Sequence, residues 1–407
     1  MQKKTKMIIA VSQASTMATL GKGQISFFKN HGFEVDLLAK NDNEVESAIQ
    51  EGANFFEIGF RRAMSPMPDL KALNQIIKVF KKNKPQVVQM MTLKPSILGS
   101  LAGRFTGVPV LIRHKWGNMR ESNYSWLKKY LLFFTDKLSN KLAHQIVVIC
   151  HKLLESELEI KAIDSHKAVV YGSGSSNGLD LNRFKRTDEI AERGRRIRDE
   201  LGIWLNAPVL GTVMRINIEK GICELIDAFL SLSEKLPKLR LIVVGDYDIR
   251  NLPPQHYIDT ISNHAMIHHV GWQMDIEKYY AAMDIFVMPS YREGFCKSNI
   301  EASGMGLPVV ATNIIGCSES VKDGVSGILV PPRDSKALAS AIKTLLIDKE
   351  LANKLGKQGR ERVEAEFDQQ YVWHNQLRDI CQLLQAKNIT PPINPELILR
   401  TICPLCS

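Results

Sequence analysis

The sequence predicts two doubly wound α/β domains, each a parallel sheet with helices on its faces. Three observations carry this. Short β-branched and apolar runs alternate with helical segments through the first half of the chain. The composition then changes abruptly over residues 172–200, and the same alternation resumes behind it. With 407 residues, 44% hydrophobic and 24% charged, the chain is long enough to bury two cores and has the balance of a soluble globular protein.

In the first half, strands are expected at 7–11, 34–38, 86–90, 108–112 and 145–149, with helices at about 23–30, 70–81, 97–105 and 126–142. The opening MQKKTKMIIAVSQ is basic and then apolar for only about five residues, which is too short for a signal peptide or a spanning helix and suits a first strand. Elsewhere no run approaches the roughly 18 apolar residues a membrane helix needs. Residues 172–200 open as Gly-Ser-Gly-Ser-Ser-Asn-Gly and continue as the charged EIAERGRRIRDELG, read as a hinge and a connecting helix. In the second half, strands are expected at 208–212, 240–244, 266–268, 285–288, 309–311 and 327–330. Helices fall at about 221–236, 276–282, 298–305 and 335–346, and a later one at 368–386. The domains read as 1–175 and 200–365, with a Pro-rich tail at 388–407 to which no function is assigned.

Glu293 and Glu301 are the most informative pair of residues. They lie eight apart in MPSYREGFCKSNIEASGMGLPVVAT, a strand, a Gly-containing loop, a short helix and a second strand. Glu293 therefore stands at the carboxyl end of a parallel strand, where open α/β sheets bind ligands. Glu301 lies inside the following helix among Ile300, Ala302, Ser303 and Gly304, where a carboxylate is costly without a partner. Upstream, GTVMRINIEKGICELIDAF puts Arg215 and Lys220 at another strand-to-helix junction, suited to a diphosphate. In VLIRHKWGN, His114 follows the strand expected at 108–112.

Together these motifs resemble retaining GT-B glycosyltransferases of the family 4 type, over residues from about 15 to 330. The resemblance implies two Rossmann-like domains facing across a cleft, with the last helix crossing back onto the first. It implies that Glu293 contacts hexose hydroxyls of a nucleotide sugar and Glu301 its ribose, with Gly294, Phe295, Ser298 and Asn299 around them. Cys296 departs from the Pro or Gly often found there. Arg215 and Lys220 match the pair that neutralises the leaving nucleoside diphosphate; Gly271, with Trp272 and Gln273, would lie near the nucleobase. His114 would face the transferred sugar, and the loop at 15–24, with Gly21 and Gly23, matches the position of a phosphate-contacting glycine loop. No cofactor or metal is expected, because the family needs no acidic cluster. The hinge YGSGSSNGLDLNRF resembles members that extend lipid-diphosphate-linked glycans for surface polysaccharide.

Net charge sharpens the expected surroundings. Residues 1–180 hold 25 Lys and Arg against 15 Asp and Glu, and the rest hold 28 of each, so the excess of +10 belongs to the first half. A positive face attracts an anionic membrane surface or nucleic acid; no nucleic-acid motif accompanies it. The segment WLKKYLLFFTDK at 126–137 mixes cations and bulky apolar residues at helical spacing, as an interfacial helix or a helix packed on the sheet would. Seven cysteines without a secretory leader favour a reducing cytoplasm and free thiols, with Cys403 and Cys406 forming an unmatched C-x-x-C. The expected protein is a hexosyl- or N-acetylhexosaminyltransferase on the inner membrane face, using a UDP-linked donor and a polyprenyl-diphosphate-linked acceptor. The rivals are a glycosidase using paired carboxylates, a nucleotide-sugar epimerase of the same fold, and a non-catalytic nucleotide-sugar-binding subunit.

Overall fold

The computed structural model describes residues 4–42, 44–61, 65–117 and 125–402, so Cys403 and Cys406 lie outside the described residues. The chain forms two compact units, residues 1–178 with 370–407, and residues 179–369.

The first unit is built on a seven-stranded sheet: β1 (Thr5–Gln13), β2 (Phe33–Lys40), β3 (Asn54–Glu57), β4 (Val87–Met90), β5 (Val110–Lys115), β6 (Gln145–Val148) and β7 (Ala168–Val169). Its order is β3-β2-β1-β4-β5-β6-β7, and every neighbour pair is parallel. Helices shield both faces, which is why the central strands read as continuous apolar runs. One face packs Ile8, Val88 and Leu111 against Ile76 and Phe80 of helix Pro66–Asn83 and Ala102 of helix Leu93–Thr106. The opposite face packs Met7, Ile9 and Val110 against Phe28, and against Trp373, Leu377 and Leu384 of helix Gln369–Gln385. Ile398 from helix Pro395–Ile402, in the tail to which no function was assigned, joins that second core.

The second unit repeats the design with β8 (Val209–Val213), β9 (Arg240–Val244), β10 (Ile267–His269), β11 (Ile285–Met288), β12 (Val309–Thr312) and β13 (Gly327–Val330). Their order is β10-β9-β8-β11-β12-β13, again wholly parallel. The charged helix Asp188–Glu200, expected as a connector, belongs to this unit, where Arg198 donates to the carbonyl of Ala282 at 2.8 Å.

One expected strand shifts in position and one long helix was not expected. The strand expected at 108–112 runs Val110–Lys115, because its polar end is buried by pairing: Arg113 and Lys115 both donate to Asp136, and Lys115 lies 3.0 Å from Glu157. Helix Lys349–Glu366 went unread because its inward row of Ala352, Leu355, Gly356, Gly359 and Val363 is thin among charged neighbours.

Candidate active site

Strand order defines a crevice before any side chain is considered. The chain leaves β8 for β9 on one side and returns to β11 on the other. Loops leaving the carboxyl ends of two such strands diverge and open a ligand-binding crevice. In the second unit these loops are residues 214–221 after β8 and 289–296 after β11. The first carries Arg215 and Lys220; the second carries Glu293, Gly294 and Phe295.

Short backbone approaches bind the two loops together. Gly221 has φ +70°, and a Cβ there would lie 2.0 Å from the carbonyl oxygen of Pro289, so only glycine lets the loops meet. The amide of Tyr291 donates to the Glu219 carbonyl at 2.8 Å, Arg292 Nη2 lies 3.0 Å from Glu219 Oε2, and Tyr291 Oη donates to Glu224. On the far side, Gly316 packs where a Cβ would lie 2.6 Å from Glu293 Cβ.

The result joins two residues 73 apart in sequence: Lys220 Nζ donates to Glu293 Oε1, with side chains 19% and 13% exposed. Burial works against the Lys220 charge, but Glu293 beside it more than offsets this, and the ammonium's pKa is raised. Arg215 stands near the rim, exposed, with Nη1 3.4 Å from Asp248 Oδ2.

Glu301 is buried in helix Lys297–Gly304. It accepts a hydrogen bond from Tyr280 Oη at 2.9 Å and has Lys297 Nζ at 3.8 Å. Burial, then the Glu301 carboxylate, hold the Tyr280 phenol protonated, so it remains a donor. Ser298 Oγ donates to the carbonyl of Val213 at 2.9 Å, fastening this helix to the end of β8. Phe295 packs against Phe367 in a tilted arrangement, with ring centroids 5.6 Å apart. Gly271, at φ +67°, accepts from the Gly245 amide at 2.8 Å, and the neighbouring Trp272 amide donates to Asp246 at 2.9 Å. The Gln273 amide group donates to the Val270 carbonyl.

Two groups of expected ligand contacts already have partners within the protein. Asn299 is fully buried and donates to Ser320 Oγ at 3.0 Å, while its Oδ1 is buried without a hydrogen-bond partner. The donors around Gly21 and Gly23 are used internally. The Gly23 amide donates to Glu51 Oε1 at 2.7 Å and the Ile25 amide to Glu51 Oε2 at 3.1 Å, so a carboxylate satisfies these helix-start donors. Gly21 donates to the carbonyls of Thr16 and Met17.

His114 lies within β5, not beyond it, and is 3% exposed. Its Nε2 pairs with Gln89 Oε1 at 2.8 Å, and burial pushes its pKa down to about 3. The imidazole is therefore neutral near pH 7; its Nδ1 is buried without a hydrogen-bond partner. Sequence reading missed Tyr280, which holds Glu301, Gln89, which holds His114, and Glu219, which ties down the 289–296 loop through Tyr291 and Arg292. A polar residue inside the apolar run VVQMM was the available signal for Gln89; Glu219 and Tyr280 left none beyond their neighbours. Among the described residues no group of three or more His, Cys, Asp or Glu is placed to hold a metal ion.

Residues 194–362 match the family described as Glycosyl transferases group 1, and residues 8–146 match Glycosyl transferase 4-like. The chain is a group 1 glycosyltransferase. The capsular polysaccharide biosynthesis glycosyltransferase CapM of Staphylococcus aureus is 29% identical over 374 residues, covering 91% of this chain and 95% of CapM. An Escherichia coli UDP-Gal:alpha-D-GlcNAc-diphosphoundecaprenol alpha-1,3-galactosyltransferase is 27% identical over 354 residues, covering 85% and 88%. The crystal structure of Anabaena HepE in complex with UDP-glucose superposes with a TM-score of 0.75 at 20% identity, over 94% of this glycosyltransferase and 99% of HepE. The enzyme thus has the GT-B fold and is related to bacterial capsule and lipid-linked glycan transferases.

Proposed function

We propose that this glycosyltransferase moves a hexose or N-acetylhexosamine, with retention, from a UDP-sugar to a saccharide on a polyprenyl diphosphate at an anionic membrane face. The observation that carries the donor side is the Lys220–Glu293 pair at the β8/β11 switch point. An arriving diphosphate competes with Glu293 for the Lys220 ammonium. Once phosphate takes that charge, Glu293 is released to accept hydrogen bonds from hexose hydroxyls. Diphosphate binding and sugar orientation are therefore coupled through one ion pair.

As the glycosidic bond breaks, negative charge grows on the departing diphosphate, and Lys220 and Arg215 stabilise it there. Glu301, held by Tyr280, anchors the ribose hydroxyls. Neutral His114, with its Nε2–H held by Gln89 Oε1, accepts a hydrogen bond at Nδ1 from a hydroxyl of the transferred sugar without carrying charge. The leaving phosphate oxygen takes the acceptor proton on the same face, and no side chain serves as nucleophile. The choice of acceptor is supported by the E. coli relative, whose name specifies a diphosphoundecaprenol substrate. The UDP donor is supported by the same name and by the UDP-glucose bound in HepE.

The test is purified enzyme incubated with UDP- and GDP-sugars and polyprenyl-diphosphate saccharides, with products read by mass. A product heavier by one sugar from a UDP donor is expected. Isomerised donor without acceptor, or free sugar released at the full rate, would replace this reading with an epimerase or a hydrolase.

A further inference from the structure

Helices Pro66–Asn83, Leu93–Thr106 and Trp126–Leu142 pack side by side on one face of the first sheet, with Leu93–Thr106 in the middle. Lys81 Nζ sits 5.3 Å from the Phe105 ring centroid, and Arg104 donates to the Leu142 carbonyl at 2.8 Å, joining the three at one end. Their outer surface is unusual in two ways.

First, it exposes large apolar side chains. Trp126 is 78% exposed, and Leu127, Tyr130, Leu131, Phe134 and Phe105 are also open. The five on helix Trp126–Leu142 recur at i, i+1, i+4, i+5 and i+8, which is one continuous stripe. The inward side of the same helix is served by Leu132, which is buried. The stripe is thus surplus to the core of this unit.

Second, the face is purged of negative charge. The three helices contain two acidic residues, Asp69 and Asp136. Both are withdrawn into ion pairs, Asp69 with Lys94 and Asp136 with Arg113 and Lys115. Burial raises the Asp136 pKa, but these two cations outweigh it and hold the carboxyl low. What remains outside is cationic: Lys78, Lys81, Lys82, Arg104, Lys137 and Lys141 are all exposed.

The geometry points to this three-helix face as a docking surface for an anionic lipid bilayer, with the Trp126–Phe134 stripe lying at the headgroup boundary and the lysines contacting lipid phosphates. Aromatic and apolar side chains beside cations, with no exposed carboxylate among the three helices, suit that interface. Long lysine stems let the charge reach phosphate while the methylenes cover apolar surface. Among the described residues no helix is long and apolar enough to cross a membrane, so attachment at this face is peripheral. The inference deepens the proposed function, because it names the surface on which a lipid-linked acceptor is met.

Co-sedimentation with vesicles of phosphatidylglycerol in phosphatidylcholine, without donor or acceptor, tests it. Wild-type protein is expected to bind these vesicles, to release as salt is raised, and to bind pure phosphatidylcholine weakly. The paired substitutions L131E/F134E and, separately, K81E/K82E should each weaken binding about tenfold or more. Both leave the melting temperature and transfer to a short-chain, water-soluble acceptor unchanged. Equal binding by the variants, or equal binding to pure phosphatidylcholine, overturns the proposal. So does loss of self-association by L131E/F134E with vesicle binding intact, which would make a second copy the occupant. An enzyme that docks through this face yet glycosylates no lipid-linked saccharide refutes the acceptor reading and leaves the docking surface standing.

Discussion

The two sheets share a topology but hold their functional side chains by different physics. At the β8/β11 crevice, candidates are charged and pre-paired: Lys220 with Glu293, Tyr280 with Glu301. On β5 the candidate, His114, is neutral and enclosed, fixed by one hydrogen bond to Gln89. Charge pairing makes the first site responsive, since an incoming anion can exchange for the carboxylate. Burial makes the second unresponsive to proton concentration over the working range. In the proposed function, the first region senses a ligand's charge and the second reads its shape.

Breaking the charged region should have the largest effect. Glu293→Ala is expected to lower kcat/KM by about a thousandfold, ~4 kcal/mol of transition-state stabilisation, in steady-state assays. Glu293→Gln keeps an acceptor for Lys220, so equal loss in a variant that melts like wild type assigns the effect to the carboxylate charge. Near-normal turnover in either would remove Glu293 from the site.

Next in size is Lys220→Met, which leaves Glu293 largely buried without its cation. Breaking such a pair costs several kcal/mol when fully buried. At this partly exposed site about 2 kcal/mol is expected, a fall in Tm of roughly 4–8 °C. Donor should restore little of that stability, because the diphosphate has lost its main cation.

Tyr280→Phe is a smaller change. It deletes the hydroxyl that holds Glu301, and a bond to a charged group contributes about 1.5 kcal/mol, or roughly tenfold in donor KM, with kcat less affected. A fall in kcat with unchanged KM would place Glu301 elsewhere in the reaction.

The neutral region is sharpened by pH. Folded His114 has its pKa near 3, against 6.5 for an unperturbed histidine. Between those values the unfolded chain binds the proton and the native chain does not. Stability is therefore full above pH 6.5 and falls toward pH 3, by ~1.4 kcal/mol per pH unit from this residue. Denaturant titrations of His114→Gln at pH 7 and pH 5 should show a slope shallower by about that amount. His144, pushed down to about 4 by burial, keeps part of the slope in place. An unchanged slope would contradict the buried, neutral imidazole.

Most of the architecture was legible because fully buried parallel strands are apolar along their whole length, and β11 was read to the residue. Legibility failed where burial came from pairing rather than from side-chain type. Arg113, His114 and Lys115 look like a strand's end, yet all three are interior. The edge strands β3 and β7 are too short and too exposed to leave a pattern. At the site, the resemblance named Lys220 and Glu293 separately, but no local signal joins residues 73 apart. Only the strand order does. At Gly21 and Gly23 the resemblance suggested a phosphate contact, and no local signal showed that Glu51, 28 residues beyond Gly23, accepts from the Gly23 amide.

The central claim is that Lys220 is shared between Glu293 and the donor diphosphate. Calorimetric titration of UDP into wild-type and Glu293→Gln protein tests it most directly. If Glu293 competes for the ammonium, the variant binds UDP as tightly as wild type or tighter, while transfer is lost. A parallel loss of UDP affinity and transfer would contradict the exchange and leave the ion pair a structural clamp.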